Sequence, residues 1–426
     1  MVMYELMGHE RLSGVGEFNS GTMKIAANFS VLWNPQCSSI VVENLPQKDV
    51  LISLFGGQPE WNLKGRLEDG RAIRARGMIL ERVSVGSSAS YAEFFPLSGI
   101  NIGINKRLLP QTVKYKLIGF YEGEADCKID GWQIRLVKPV GLPPQIGRFA
   151  KKRRLPSEGM ILELSHKSSN LSHYDEKYRA ISKLLALASG SGVTAHRYSV
   201  TWQNSNSYEF WRHRPGDEFG PGPVLPIGCF SQFLQQVLPN WESWSDEKRE
   251  VVKLAIDYIN LSAGGYLDAR VFHIMQTWEF LANAWGATGK RTPATDDLGK
   301  EVKRTYQRWR KNHQTEDPDG LISRRLMSAF KWQRVRNSII ELALSRGLDL
   351  ARLGIDLDRL KEARDSIAHT GKLPADLPRN DKLLDLLVRS QNALQLLLLT
   401  ELGYQGRCYV SNLDNLSVTT LENIRV

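Results

Sequence analysis

Cysteine is scarce in this chain. Four residues in 426, Cys37, Cys127, Cys229 and Cys408, lie far apart with no CxxC pair. That spacing excludes a zinc ribbon and argues against a disulfide framework, so a reducing compartment is expected, and a cytoplasmic one. The familiar hydrolase signatures are also missing. There is no HExxH and no GxSxG, hence no zinc-protease helix and no nucleophile elbow. Gly289-Lys290 resembles the end of a phosphate loop, but Ala284 and Arg291 stand where such a loop needs Gly and Ser or Thr. No motif calls for a metal or a cofactor. Long apolar runs are lacking too. The greasiest tract, Leu383 to Leu402, is interrupted by Asp385, Arg389, Gln391, Asn392 and Gln395, and reads as a buried helix instead of a membrane span. The opening residues from Met1 to Leu6 meet polar side chains before a signal-peptide core develops, so no membrane partner is expected.

What is present is an ordinary globular balance, 42% hydrophobic and 24% charged, with a deficit of acid. Lys and Arg number 56 against 46 Asp and Glu, a net charge of +10. That excess favours a polyanionic partner such as nucleic acid. The length exceeds one average domain, and the pattern changes along it.

Residues 1–145 read as a β-rich module. Trp61–Leu67 and Ala72–Arg76 flank Glu68-Asp69-Gly70-Arg71, and Asp-Gly between alternating segments is a strong hairpin signal. Val113–Phe120 and Trp132–Val137 are further strand-like runs; sandwich and open barrel are not separated by the pattern. Residues 138–158 look like a hinge, with Pro139, Pro143, Pro144 and Pro156 around Arg148 and Lys151-Lys152-Arg153-Arg154. Residues 155–225 read as an α/β continuation, with a helix over 175–189 and a strand over 197–203. The Gly- and Pro-rich stretch from Gly216 to Gly228 marks a second boundary. From 230 to 426 the period becomes helical, with candidate helices over 245–262, 266–285, 298–312, 321–346, 357–370 and 380–402. The fold class expected is α+β, a β-rich amino-terminal module followed by an all-α helical bundle.

Within the bundle, an Arg followed five positions later by His occurs twice. The Arg308–His313 copy lies in a polar, basic helix end with no apolar register, so its side chains are expected to face water. The Arg364–His369 copy rides a helix whose Leu357, Leu360, Ala363 and Ile367 mark a packed face, and Thr370-Gly371 supplies the stop. Five residues at ~100° each set Arg364 and His369 roughly 140° apart on an ideal helix. Asp365 and His369, four apart, share a face and are able to hydrogen-bond. Two copies meeting along this helix would line one cleft with two arginines and two histidines, which points to a symmetric homodimer through the helical domain.

Arg364-Asp365-Ser366-Ile367-Ala368-His369 resembles the Arg-polar-x-x-x-His motif of HEPN-domain ribonucleases, and the His-Thr-Gly that closes it and the leucine-rich last helix are similar to that family. The amino-terminal hairpin and the helix around Leu184–Gly190 resemble ApeA-like anti-phage defence proteins. The resemblance implies a HEPN-like helical domain. It also implies an endoribonuclease in which the substrate's own 2′-hydroxyl attacks the adjacent phosphate without a metal, acting by abortive infection on tRNA or other translation RNA, with a phage-derived trigger. His369 would move protons and Arg364 would clamp the phosphate, since His titrates near neutrality and Arg presents a permanently charged fork. Asp365 would orient His369, and Glu279, on an earlier helix, would restrain Arg364.

The basic content agrees with an RNA partner. Between Lys300 and Arg336 eleven Lys or Arg residues face four acids. Arg308, Arg310 and Lys311 are the candidate RNA contacts, with Trp309 and Trp332 among them as stacking platforms. Two rival readings stand beside the nuclease. One is a catalytically silent RNA-binding or scaffold protein of the same fold. The other is a ligand-sensing protein whose β module uses Trp33, Trp61 and Trp132.

Overall fold

The computed structural model describes residues 11–20, 23–33, 38–43, 60–85, 90–96, 99–103, 109–139, 159–201, 207–211, 221–264, 266–288, 293–313, 321–373, 381–411 and 416–424. Arg148, the Lys151–Arg154 run, Cys37 and the side chains of Trp33 and Trp332 lie outside them, as does most of the 138–158 hinge. The backbone groups into two compact units. Residues 1–186, 191–218 and 227–238 form the first; residues 187–190, 219–226 and 239–426 form the second.

The first unit is built on strands β1 (Arg11–Ser20), β2 (Met23–Trp33), β3 (Ser38–Glu43), β4 (Trp61–Leu67), β5 (Ala72–Val85) and β6 (Ser90–Pro96). They run β4-β1-β2-β3-β6-β5, and β4 pairs β5 in turn, which closes a six-stranded antiparallel barrel. Closure removes exposed edges, the main hazard of an all-β module. The sandwich-or-open-barrel alternative is thereby resolved to neither: the barrel is shut. Alternation along the strands fills its interior. Trp61, Leu63 and Leu67 of β4 are buried, and Phe18, Phe29, Ile40 and Phe94 join them from other strands. Phe18 and Phe94 stack at 5.4 Å, with Trp61 edge-on at 5.6 Å. At Gly65, a Cβ would come within 2.5 Å of the Val15 carbonyl oxygen; only glycine admits so close a strand crossing.

The sheet continues from β5 through β7 (Ile100–Ile102), β13 (Ser207–Trp211), β12 (Thr194–Thr201), β8 (Thr112–Ile118), β11 (Ile161–Ser165), β10 (Trp132–Val137) and β9 (Ala125–Ile129). Helix α1 (Leu171–Ser189) buries Tyr174, Tyr178 and Ile181, and Tyr115 of β8 stacks on Tyr178 at 4.3 Å. Trp61 is fully buried and Trp132 nearly so, so these tryptophans are core and not ligand platforms.

Helix α2 (Phe230–Ser243) precedes the helices of the second unit: α3 (Asp246–Leu261), α4 (Leu267–Ala284), α5 (Pro293–Asn312), α6 (Leu321–Ser345), α7 (Leu357–Thr370) and α8 (Asp381–Glu401). Ser245 caps α3, accepting from the Lys248 amide at 3.3 Å. Central α4 packs against α3, α6, α7 and α8. In α8 every residue from Gln391 to Leu399 is buried. Gln391 donates to the Ser262 carbonyl at 2.8 Å, and Asn392 to the Tyr409 carbonyl at 3.0 Å. Glu401 ties the bundle by accepting from Lys248 at 2.6 Å and Arg346 at 2.8 Å. A hairpin of β14 (Arg407–Ser411) and β15 (Leu416–Thr420), with the short α9 (Leu421–Ile424), follows the last long helix. The architecture is therefore mixed, a β-rich amino-terminal region and a helical carboxy-terminal part. Among the described residues no helix is long and apolar enough to cross a membrane.

Candidate active site on helix α7

Helix α7 begins at Asp356, whose carboxylate accepts from the Arg359 amide at 2.9 Å, and ends at Gly371, which takes the left-handed conformation at φ 67°. Leu357, Leu360 and Ala363 bury one face, and α4 lies against it. Thr370 Oγ1 donates to the Ser366 carbonyl at 2.7 Å, and Ser366 Oγ donates to the Lys372 carbonyl at 2.8 Å, so the last turn is tied to its stop. The motif is thus carried on a rigid, capped element, not on a loop.

Arg364 is half-buried. Its Nη1 donates to Glu279 Oε1 on α4, and its Nε reaches Asp365 Oδ1 at 3.2 Å. Eighty-five residues separate Arg364 from Glu279 in the chain, so this contact is made by packing α4 on α7. The second Asp365 oxygen accepts from Lys361 Nζ at 2.5 Å. Burial pushes the Asp365 carboxyl up, but the Lys361 hydrogen bond and the positive charges of Lys361 and Arg364 outweigh it and hold the group below the usual carboxylate range.

His369 is exposed at the last turn. It lines an open groove of about 740 Å³ with Asp356, Asp358, Arg359, Lys361, Glu362, Asp365 and Ser366. Both Asp365 oxygens point to cations, and no hydrogen bond joins Asp365 to His369. The expected orienting contact is not made; Asp365 instead positions Arg364. The groove residues 358, 362, 365, 366 and 369 follow the helical period, and Lys361–Asp365 is an i,i+4 pair. That i,i+4 spacing is the sequence signal for the Lys361 contact. Arg364 turns toward α4 and His369 toward the groove, as the angular separation on a helix requires.

The other Arg–His copy is arranged differently. Arg308 is exposed, its Nη2 3.7 Å from Glu301, and Arg310 and Lys311 are exposed beside it. His313 stacks on Trp309 at 4.8 Å with the rings nearly parallel. Trp309 is half-buried and lines a cleft with Val302, Tyr306 and Ile322. Arg308, Arg310 and Lys311 therefore form a solvated basic face on α5, while the tryptophan between them turns toward protein. Among the described residues no three His, Cys, Asp or Glu side chains gather to hold a metal ion.

No protein-family model, curated protein or solved structure matches this chain.

Proposed function

We propose that the protein is a HEPN-type endoribonuclease that cleaves RNA by attack of the substrate's 2′-hydroxyl on the adjacent phosphate, with α7 as the catalytic helix. The observation that carries the reading is the fixed Arg364, held by Glu279 from a separate helix, five residues before an exposed His369. In the step proposed, the 2′-oxygen bonds to phosphorus and the bond to the 5′-oxygen breaks, leaving a 2′,3′-cyclic phosphate and a 5′-hydroxyl. His369 takes or gives the proton moved in that exchange. Arg364 meets the negative charge that accumulates on the phosphorane oxygens. Glu279 and Asp365 restrict the guanidinium, and Arg308, Arg310 and Lys311 attract the polyanionic substrate. The reading extends to a homodimer meeting along α7 and to abortive infection against phage, with tRNA or other translation RNA as substrate. Both extensions rest on the motif's resemblance.

The test incubates wild type, His369→Ala and Arg364→Ala with total tRNA in EDTA and maps the cut ends. Wild type should leave cyclic-phosphate and 5′-hydroxyl termini, with His369→Ala slower by about 10²-fold or more, the usual worth of a positioned acid or base. Equal cutting by His369→Ala, or cutting abolished by EDTA, would remove the proposal. RNA bound but intact with wild type and variants alike would favour a silent binder.

A further inference from the structure

Two outer sheet faces within the first unit handle charge in opposite ways. Across β9, β10, β11 and β8, Asp126 stands opposite Arg135, Arg135 opposite Glu163, and Glu163 opposite Lys114. Signs alternate over four strands, and the ion pairs close at 3.5, 3.1 and 2.7 Å. On the barrel, the register sets Lys64 of β4 directly opposite Arg74 of β5. Both are exposed, and neither has an ion-pair partner among the described residues. Like charges so placed oppose sheet formation.

The stripe continues. Arg66 and Arg76 lie two residues further along each strand on the same face and are exposed, and Arg66 donates to the Gly70 carbonyl at 3.3 Å. Asn62 and Ala72, which share this part of the face, are uncharged; Glu81 is exposed further along β5. Glu17 of β1 lies opposite Lys64 on its other side and 3.4 Å from Lys24, and exposed Glu68 follows Arg66 by two residues. Beside the stripe is an open groove of about 680 Å³ lined by Val15, Glu17, Ala26, Asn28, Lys64 and Arg66. Small side chains and Gly65 make it concave.

We infer that the outer face of β4 and β5 is a docking surface for a nucleic-acid strand, held through its phosphates. Cations repeating every second residue are roughly 7 Å apart along a strand, a regular array suited to a regular polyanion. Three of the four are arginines, whose forked donors fit phosphate oxygens in pairs. No aromatic ring stands at the outward positions of β4 or at 72, 74 and 76 of β5, so the surface reads charge and not base sequence. This inference does not depend on the catalytic role of α7.

The experiment uses full-length protein carrying His369→Ala, so that RNA stays intact, and labelled 20-nucleotide single-stranded RNA and DNA of one sequence. Binding is followed by anisotropy from 50 to 200 mM salt. Lys64→Gln/Arg66→Gln/Arg74→Gln should bind about 10-fold or more weakly at mid-range salt, and its log–log salt slope should be shallower by about 2, three lost contacts at about 0.7 each. Arg74→Gln alone should lose about 0.7 of slope. RNA and DNA should respond alike, because phosphate is common to both. A second triple variant, Lys128→Gln/Lys167→Gln/Lys382→Gln, removes three exposed charges elsewhere and should keep the wild-type slope. Equal slopes for the two triple variants would overturn the inference. So would displacement of RNA by polyglutamate as effective, charge for charge, as displacement by unlabelled RNA.

Discussion

At the residue scale, the catalytic proposal depends on how Arg364 is restrained. A free arginine on a helix surface samples many rotamers; one bonded to Glu279 and Asp365 offers its remaining donors in a limited arc. Asp365 links that restraint to pH. Its carboxyl is held below the usual range, so its contribution to stability is fully present above the unfolded-state value and is lost as pH falls through the lower folded value. Asp365→Asn should therefore melt below wild type at pH 7, and the gap should narrow as melting is repeated toward pH 3. A gap that stays constant or widens on acidification would show that the carboxylate is not stabilised by Lys361 and Arg364. Because Asp365 is held below the usual carboxylate range, the same substitution should leave the neutral limb of any pH–rate profile where it is.

At the scale of elements, α7 shows why a stop matters as much as a motif. Gly371 adopts φ 67°, and a Cβ there would meet nothing within 4 Å. Replacing it with alanine is therefore a backbone effect alone, of about 1–2 kcal/mol for an L-residue forced left-handed. Gly371→Ala should lower the unfolding free energy by that amount in urea titration, and Gly371→Asn by less, since Asn tolerates this region better. Equal stability of all three would mean that the last turn frays regardless of its cap. Such local signals made much of this half legible. Apolar period and caps located α3, α4, α6, α7 and α8 to within a residue or two, and Asp-Gly located the β4–β5 hairpin. Two kinds of element escaped. Helix α2 contains Pro239, which argues against an uninterrupted helix in any local reading. The β14–β15 hairpin has exposed Leu416 and Val418, and so lacks the alternation that marks a half-buried strand. Barrel closure escaped for another reason: β4 pairs β5 across the local hairpin, but its pairing with β1 is a long-range event that no local pattern encodes. In the site, Arg364 and His369 were visible in the motif. The Asp365–Lys361 bond was a missed spacing, and the failure of Asp365 to reach His369 was decided by competition from two cations.

At the scale of the whole molecule, the question is how many chains one reaction needs. Arg364 turns to α4 and His369 to the groove, and a helix cannot bring residues five apart onto one narrow face. A single phosphate touched by both groups is more readily met by Arg364 of one copy and His369 of another, across a two-fold axis along α7. On the proposed two-copy site, Arg364→Ala retains every histidine and His369→Ala retains every arginine, yet each homodimer lacks one kind of group entirely. A mixed dimer regains one of each. Unfolding and refolding the two inactive variants together should therefore restore tRNA cleavage, to at most about a quarter of wild type, because random pairing makes only about half the dimers mixed and each mixed dimer completes one of its two symmetry-related sites. Each variant refolded alone should stay inactive. If the site were complete within one chain, no mixture would recover activity, since neither chain carries both groups. The readout distinguishes the two arrangements without knowledge of the RNA or of its trigger, provided that the wild type refolded in parallel cleaves.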